Sequence, residues 1–423
     1  MLAGHLLCAY RPNMMTPLSE QKIQRAFRAT AGCFFVIGWL IPTMLAQMPL
    51  IRERLDLSED RISWFILAMG LGAVPSMLIS GLTLGKIGSK TAALIFFPLM
   101  LIFPPLFGAV DNFANLLLIG FVLGLLSGFF DVAANTHGAL LERITDRLFM
   151  TSIHAYFALG VLVGSTLSVA AQFYQLPTTL FLSLLTLGST PLIFFIWQGF
   201  LGRPIEQAQD ARDCEGRPKS LPKFSLFLLM GLSLLMLLGI VAEASHYDWL
   251  ALYSVDVFFE PQGGWVSEDQ TREFAHFGSL GLMVFSAGLL LARLVGDHLA
   301  EGMGRPKLLM MFSLIGCAAL TWVILSPTYA LALPAMFVMG IGFAMFFPIF
   351  VAAAGRLRGI PPAFGVSIVA AMGWASIFIG PPMVGFVAEH FSYRWAYVTL
   401  LPPALFVAIF GPWVVFKSRP GNH

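Results

Sequence analysis

A stripe of small and polar residues runs through the fourth apolar stretch of the chain, among Leu, Phe, Val and Ala residues. The stripe consists of Gly124, Gly128, Asp131, Asn135, Gly138 and Glu142. Spacings of three and four residues place these side chains on one face of a helix. A carboxylate at the centre of a membrane-spanning helix costs about 2.5–3.5 kcal/mol on insertion scales, so it is retained where it meets a partner, a cavity or a solute. We therefore interpret Asp131 as binding either a proton or a hydroxylated solute, with helix packing as the alternative.

Two further polar residues lie close to Asp131 in the sequence pattern. Asn135 follows one turn later, and its amide offers two donors and an acceptor, which suits a sugar hydroxyl or the Asp131 carboxylate equally. His154 lies near the start of the next apolar stretch. It is a second candidate for proton or solute binding, and the alternative is a solvated histidine at a helix end.

A second carboxylate, Glu243, lies deep in the seventh apolar stretch. His246 and Tyr247 follow at i+3 and i+4, on roughly the same helical face. The Glu243–His246 pair predicts a proton relay, and the alternative is a structural hydrogen bond along the helix.

Aromatic and amide side chains could supply the remainder of a solute site. The candidates are Trp39, Gln47, Tyr156, Tyr253 and Trp374. Trp39 and Trp374 are too deep in their stretches for the interfacial belt that holds most membrane tryptophans. Aromatic faces beside hydrogen-bonding groups suit a small sugar or another amphipathic solute, although packing explains each residue individually.

The composition predicts a membrane protein. Hydrophobic residues make up 57% of the 423 residues and charged residues 11%, with a mean hydropathy of +0.80. A soluble domain carries about 25% charged residues, so we expect most of this chain to lie in lipid. The four cysteines (Cys8, Cys33, Cys214 and Cys317) are scattered, which predicts free thiols, no disulfide and no zinc site.

The first residues do not form a secretory signal. MLAGHLLCAY has a short apolar run without a basic region before it. We expect no cleaved signal and leave Met1, Met14 and Met15 open as the start of the protein.

Twelve stretches are long and apolar enough to span a membrane. They cover approximately 29–51, 61–84, 90–110, 112–141, 149–173, 177–200, 225–254, 273–296, 307–326, 328–354, 361–388 and 393–416. We predict an all-α integral membrane protein whose twelve transmembrane helices form two pseudo-symmetric six-helix bundles. The predicted parts are an N-terminal segment 1–28, a bundle 29–200, a linker 201–224, a bundle 225–417 and a tail 418–423.

The placement of positive charge predicts the orientation. With the N-terminus in the cytoplasm, 20 of the 25 Lys and Arg residues fall on the cytoplasmic side. An odd number of spans would lose this bias. We therefore expect a multi-pass protein with both termini in the cytoplasm.

The two halves of the chain repeat at an offset of 216 residues. The glycine pairs at this offset are Gly88 with Gly304, Gly124 with Gly340 and Gly164 with Gly380. They fall at corresponding depths of corresponding stretches, as expected for two related six-helix halves. Asp131 then corresponds to Phe347 and His154 to Ala370, so these polar groups are specific to the N-terminal half.

With these features the chain resembles the major facilitator superfamily. The loop after the second stretch is similar to the family signature G-x-x-x-D-x-x-G-R-K, with Gly81, Gly85, Gly88, Ser89 and Lys90 at its positions. Gly85 stands at the acidic position and Ser89 at the first basic one. The second half retains more of the charges, at Arg293, Gly296, Asp297, Glu301, Gly304 and Arg305.

Four segments resemble the fucose-permease-like branch of that family. They are DVAANTHGALLE, MTSIHAYFALGVLVGS, EASHYDWLALYS and AAMGWASIFIGPPMVGF. The resemblance implies the major facilitator fold, a location in the bacterial inner membrane, and a central solute cavity reached by alternating access. It further implies that transport is often coupled to protons and in some members carries sugars.

The resemblance also implies a cytoplasmic latch that helps to hold one state of the transport cycle. The candidate residues are Lys86, Gly88, Lys90, Glu142, Arg143, Arg293, Asp297 and Arg305. We expect Glu142 and Arg143 to act against Lys86 and Lys90, and a solvated charged face is the alternative.

The absence of several motifs narrows the function class. We find no Walker loop, Ser/His/Asp set, metal-ligand cluster, dinucleotide fingerprint or nucleic-acid motif. We therefore expect no enzyme activity, cofactor, metal or nucleic-acid partner, and a monomer in the lipid bilayer. The leading hypothesis is a proton-coupled secondary transporter that takes up a small polar organic solute. The alternatives are proton-driven efflux of a metabolite or drug and, in a different class, a membrane sensor or enzyme.

Overall fold

The computed structural model describes residues 18–45, 47, 51, 54–57, 59–174, 176–214, 222–259 and 268–418. Within these residues all regular structure is helical. Twelve helical stretches are long and apolar enough to cross a membrane, as the sequence predicts. We number them as spans 1–12.

Six spans precede a short polar helix. They are Glu20–Leu45 (span 1), Glu59–Ile87 (2), Ser89–Met100 with Phe103–Ala109 (3), Phe113–Thr145 (4), Met150–Phe173 (5) and Thr178–Ser189 with Pro191–Gly199 (6). The helix Arg203–Cys214 follows, and we call it the linker helix. We call the side of the spans on which the linker helix lies the linker side.

Six spans follow the linker helix. They are Lys223–Phe258 (7), Glu268–Met303 (8), Arg305–Leu325 (9), Tyr329–Phe343 with Phe346–Ala354 (10), Pro362–Ala375 with Gly380–His390 (11) and Tyr393–Val398 with Leu401–Lys417 (12). Span 11 changes to a 3₁₀ turn at Ser376–Phe378, just before Gly380-Pro381-Pro382. Proline removes a backbone donor and clashes with the preceding turn, which explains the break.

Two spans differ in position from the prediction. Span 1 begins at Glu20 instead of residue 29, and the helix of span 8 runs Glu268–Met303 instead of 273–296. The predicted end at residue 296 comes just before Asp297, which is buried in the structure.

Close helix contacts repeat at the offset of 216 residues. A Cβ on Gly72 or on its counterpart Gly288 would lie 2.0 Å from a carbonyl oxygen, that of Phe121 or of Phe337. Gly124 and Gly340 likewise face the carbonyl oxygens of Met69 and Phe285, at 2.1 and 2.0 Å. Each of these four partners also obeys the offset. Spans 2 and 4 therefore pack as spans 8 and 10 do, which supports the predicted internal repeat.

The turns before spans 3 and 9 repeat as well. Gly88 and Gly304 have φ angles of 82° and 84°, a region that favours glycine. Each is the residue before the first turn of the following helix. Gly88 and Gly304 are therefore required by the backbone.

The described chain forms two compact units. The first runs to Gly231 and also contains Val351–Ala371 and Ser418, and the second contains Leu232–Phe350 and Met372–Lys417. The linker-side ends of spans 10 and 11 thus belong to the first unit. The bundle boundaries 29–200 and 225–417 stay a prediction.

Cys33 and Cys317 are buried free thiols. Cys8, the side chain of Cys214 and the candidate starts Met1, Met14 and Met15 lie outside the described residues.

Candidate functional site

The stripe on span 4 serves two purposes. Its glycines pack against span 2: a Cβ on Gly124 would lie 2.1 Å from the Met69 carbonyl oxygen, and one on Gly128 would lie 2.2 Å from Ser76 Oγ. Only the absence of a side chain permits this approach. The residues of the stripe that could bind a proton or a solute therefore begin at Asp131.

Asp131 is a buried carboxylate, 8% exposed. Its Oδ2 has no hydrogen-bond partner among the described residues. Asn135 Nδ2 donates to the backbone carbonyl of Asp131 at 2.9 Å. The amide oxygen of Asn135 is also buried and unpaired in the described part of the chain. A buried acceptor without a donor is costly, so a proton or a solute hydroxyl would stabilise both groups.

His137, six residues after Asp131 on span 4, is a structural residue. Thr30 Oγ1 donates to the Ala26 carbonyl, so the hydrogen bond of 2.7 Å between Thr30 and His137 is donated by the ring Nδ1. The ring Nε2 accepts from the Leu201 amide at 2.9 Å. A neutral imidazole satisfies both bonds. His137 thereby joins spans 1 and 4 to the start of the linker.

The depths of the candidate residues follow from these contacts. Counting 1.5 Å per residue from the Thr30–His137 contact, Asp131 lies about 9 Å further into the membrane and Trp39 about 14 Å. The ring of His154 packs on Phe34 at 4.4 Å, so His154 lies about 6 Å further into the membrane than the Thr30–His137 contact. The three residues thus occupy a short range of depth in the first unit.

His154 is a buried residue. It is 4% exposed, and its Nδ1 lies 2.9 Å from the Met150 carbonyl oxygen one turn earlier. The alternative of a solvated histidine at a helix end is wrong.

The other candidates in the first unit differ in their surroundings. The indole Nε1 of Trp39 is buried without a partner among the described residues. Gln47 donates to Ser168 and so links spans 1 and 5. Tyr156 is 37% exposed and packs edge-on against Phe27 at 6.3 Å. Of these three, Trp39 presents the free donor that a solute site needs.

The second unit contains a buried ion pair. Arg293 Nη2 of span 8 donates to Glu243 Oε1 of span 7 at 2.7 Å, and both side chains are almost fully buried. Arg293 Nε donates to the Ala344 carbonyl at 3.0 Å, between the two helices of span 10. Glu243 Oε2 is buried and has no partner in the described chain. Arg293 is therefore buried among spans 7, 8 and 10, and its role as a latch residue stays a prediction.

His246 is surrounded by aromatic rings. Its ring lies 5.1 Å from Phe285, 5.5 Å from Phe343 and 5.4 Å from Tyr397. Both ring nitrogens are buried without partners among the described residues. The structure therefore contains no Glu243–His246 hydrogen bond, and Arg293 takes the place that the proton-relay hypothesis gave to His246.

The two remaining aromatic candidates are in the same unit. Tyr253 is fully buried, stacks on Tyr397 at 4.1 Å and donates to the Val323 carbonyl at 3.2 Å, which indicates a packing role. Trp374 is half-buried in span 11.

Glu142 connects three elements on the linker side. Its Oε1 accepts from the amides of Phe149 and Met150 at 2.8 and 2.9 Å, at the start of span 5. Its Oε2 lies 3.5 Å from Arg356 Nη2, which also donates to the Glu142 carbonyl at 3.3 Å. A carboxylate is stabilised at a helix N-terminus. Glu142 therefore contacts span 5 and the chain that follows span 10.

The linker helix supplies two further carboxylates. Asp210 forms an ion pair of 2.9 Å with Arg143. Glu206 accepts from the Ser89 amide at 3.1 Å and from the Ser89 hydroxyl. Burial raises the pKa of the Glu206 carboxyl, and the hydrogen bonds from Ser89 oppose that rise. The partners shown for Glu142 and Arg143 thus come from elements other than the expected Lys86 and Lys90.

The C-terminal copy of the signature lies on span 8 and the turn after it. Asp297, one turn from Arg293, is 6% exposed, and Arg305 begins span 9.

No group of three or more His, Cys, Asp or Glu side chains in the described residues could hold a metal ion.

Sequence reasoning missed four residues of these clusters: Arg293 as the partner of Glu243, Arg356, Glu206 and Asp210. Pairing over long sequence separations has no local pattern. A helical linker, however, could have been inferred from RPIEQAQDARDC, which has proline in the first turn and strong helix formers after it.

Comparisons with known proteins agree with this architecture. Residues 265–423 match the sequence model of the Major Facilitator Superfamily. An uncharacterized MFS-type transporter of Yersinia pestis is 26% identical over 391 residues, covering 91% of this chain and 95% of that protein.

Two solved structures share the fold. The E. coli fucose:proton symporter FucP superimposes with a TM-score of 0.68 at 15% identity, covering 93% of this chain and 99% of the symporter. The human organic anion transporter MFSD10 gives 0.69 at 14% identity, with coverages of 94% and 100%. With twelve spans, the repeated glycine contacts and these matches, the chain is a multi-pass membrane protein that has the fold of these transporters, and its C-terminal part is similar to the Major Facilitator Superfamily.

Proposed function

We propose that the chain is a secondary active transporter that moves a small polar organic solute by alternating access, with a sugar-like solute as the favoured class and protons as the coupling ion. The observation that carries the proposal is Asp131. Its buried Oδ2 has no donor among the described residues, next to the equally unpaired amide oxygen of Asn135. Intramembrane carboxylates of this kind mark solute and proton pathways.

The chemistry of the N-terminal residues suits a hydroxylated solute. Asp131 and Asn135 offer acceptors, and the indole of Trp39 offers a donor and an aromatic face within about 5 Å of depth. Hydroxyl groups of a sugar both donate and accept, so they can satisfy all three residues. The fold shared with a fucose:proton symporter supports this solute class.

The Glu243–Arg293 pair suits proton coupling. Protonation of Glu243 removes its negative charge, and the hydrogen bond of 2.7 Å to Arg293 then loses its ionic component. Glu243 Oε2 can carry the proton, because it has no partner in the described chain. The pair can thus exist in a closed ionic form and an open protonated form.

The location and assembly belong to the same proposal. The linker side faces the cytoplasm of a bacterial inner membrane, the two bundles 29–200 and 225–417 form the transport unit, and the chain works as a monomer. The strong bias of Lys and Arg toward the linker side supports this orientation.

The solute class can be tested directly. Purified protein is screened by thermal shift against sugars, amino acids, organic acids and dyes, because a solute that binds the folded state raises its apparent stability. Each hit is then tested for counterflow in proteoliposomes. A sugar or polyol that stabilises the protein and undergoes counterflow supports the proposal. If organic anions or dyes alone do so, the sugar-like class is wrong, and proton-driven efflux becomes the better description.

A further inference from the structure

The loop between spans 2 and 3 lacks the acidic residue that its resemblance to the family signature calls for. Gly85 occupies that position, and a Cβ built on it meets no atom within 4 Å. Gly85 also lines a cavity of about 30 Å³, whose wall includes Ser89 and Arg143. The two carboxylates in that wall, Glu206 and Asp210, both come from the linker helix.

Glu206 takes the place of a missing helix cap. Span 3 begins at Ser89, and its N-cap residue Gly88 has no side chain to bond the first amides. Glu206 receives the Ser89 amide at 3.1 and 3.2 Å on its two oxygens, as well as the Ser89 hydroxyl. A carboxylate at this position satisfies an orphan donor and opposes the positive end of the helix dipole.

Asp210 lies one turn after Glu206 on the linker helix, and it neutralises Arg143 of span 4. The Arg143 side chain is 9% exposed, and its Nη1 lies 2.9 Å from Asp210 Oδ1. Span 4 is therefore fixed to the linker helix by a partly buried ion pair.

An apolar contact anchors the start of the linker helix. Leu201 packs with Ala26, Leu140 and Leu141, and Ile205 lies against this cluster. The Leu201 amide donates to His137 Nε2 at 2.9 Å. The linker helix is thus attached to spans 1, 3 and 4 at defined points.

The same region holds the chain around span 11. Pro362 and Ala363 complete the wall of the cavity. Gly81 of span 2 approaches Ser367 so closely that a Cβ would lie 1.9 Å from its Oγ, and a Cβ on Gly355 would lie 2.9 Å from that of Ala139. Glu142 and Arg356 pair beside these contacts. Spans 2 and 4 therefore touch residues 355–367 beside the linker helix.

We propose that Glu206 and Asp210 are positioning residues of the transport cycle: Asp210 supplies from the linker helix the acid that the loop signature lacks, and Glu206 caps span 3. By fixing spans 3 and 4, they stabilise the arrangement in which the linker-side ends of spans 2 and 4 contact residues 355–367. Loss of either carboxylate shifts the population toward an arrangement in which these ends separate. The physiological meaning rests on the proposed transport function, but the contacts can be tested without a solute.

The experiment measures thiol accessibility in purified full-length protein. Cys8 and Cys214 are replaced by serine, the buried Cys33 and Cys317 are kept, and Ala363→Cys reports on the cavity wall. The labelling rate with a polar maleimide is compared for Glu206→Ala, Glu206→Gln and Asp210→Asn. The matched control is Glu20→Gln, which removes an exposed ion pair with Arg147.

We expect labelling to rise by up to about tenfold in Glu206→Ala and Asp210→Asn, the factor that corresponds to about 1.4 kcal/mol. Glu206→Gln should fall between wild type and Glu206→Ala, because glutamine still accepts from Ser89. Glu20→Gln should not change the rate. Gly85→Asp, which restores an acid in the loop beside the same cavity, should return Asp210→Asn toward the wild-type rate.

Unchanged labelling in Glu206→Ala and Asp210→Asn, with melting temperatures near wild type, overturns the proposal. Failure of Gly85→Asp to lower the rate in Asp210→Asn overturns the assignment of Asp210 as the substitute for the missing acid. If labelling responds as expected but no solute is transported, the positioning role stands and the proposed function fails.

Discussion

Arg293 and Glu243 form a buried ion pair 2.7 Å apart, between two helices that the sequence separates by 50 residues. Glu243 is thus bonded to Arg293 and not to His246, and the latch role of Arg293 stays a prediction.

The pair predicts an asymmetric response to substitution. Glu243→Gln removes the carboxylate charge that lies 2.7 Å from the buried Arg293 guanidinium, which should lower the free energy of unfolding by about 3–5 kcal/mol. The double variant Glu243→Gln/Arg293→Met removes both charges and should recover most of that loss. Denaturation of the detergent-purified protein measures both values.

The exposed pair Glu20–Arg147 provides the control for this measurement. It has the same distance, 2.7 Å, but both side chains are 55% exposed. Glu20→Gln should cost less than about 1 kcal/mol. Equal losses for Glu20→Gln and Glu243→Gln would show that burial of the Glu243–Arg293 pair has no energetic consequence.

The repeated glycine contacts predict equal effects in the two halves. Alanine at Gly124 or Gly340 places a Cβ 2.1 or 2.0 Å from a carbonyl oxygen, so the helices must separate. Each variant should lose about 1–3 kcal/mol of stability, the usual range for overpacking.

Gly302→Ala is the matched control, because Gly302 is an exposed helical glycine with no atom within 4 Å of a Cβ. It should stabilise the protein by about 0.5–1 kcal/mol, since alanine is the better helix former. Thermal unfolding of the three variants gives the comparison. A loss in only one of Gly124→Ala and Gly340→Ala contradicts the equivalence of the two contacts.

The sequence was sufficient to predict the twelve spans, the repeat and the depth of Asp131. Hydrophobic length and glycine spacing are local properties, and the repeat is visible as a constant offset. The start of span 1 was placed too late because Arg25 and Arg28 interrupt the apolar run, although the helix continues through them.

The partners of the charged residues could not be predicted in this way. Glu142 could be placed near the end of span 4, but Arg356 is 214 residues away and reaches it only through the tertiary fold. Arg293 lies within the predicted stretch 273–296, but its partner Glu243 belongs to another span and leaves no local signal in the sequence. His246 has the correct spacing from Glu243, but the aromatic rings of three other spans enclose it.

Glu206 predicts a dependence of stability on pH. Because burial raises the pKa of its carboxyl in the folded protein, the folded state binds the proton more tightly than the unfolded state does. Stability should therefore decrease as the pH rises from the ordinary carboxyl pKa of about 4.3 through the raised value, and this contribution should then level off.

Glu206→Gln should remove this contribution, because glutamine does not titrate. Thermal midpoints of wild type and Glu206→Gln are compared from pH 4 to pH 8. The thermal midpoint of wild type, relative to that of Glu206→Gln, should fall as the pH rises. A difference that stays constant across the range contradicts a raised pKa at Glu206.

The account depends most on Asp131, and gradient-driven uptake tests it most directly. Wild type and Asp131→Asn are reconstituted in proteoliposomes with the solute identified by thermal shift, and accumulation is measured with and without an imposed pH gradient, beside counterflow. We predict that the gradient drives accumulation in wild type and that Asp131→Asn loses this accumulation by at least about tenfold. Glu243→Gln, measured in parallel, should show whether the second carboxylate shares the coupling. If Asp131→Asn and Glu243→Gln both accumulate solute as wild type does, the proposal that these buried carboxylates couple transport to protons is wrong.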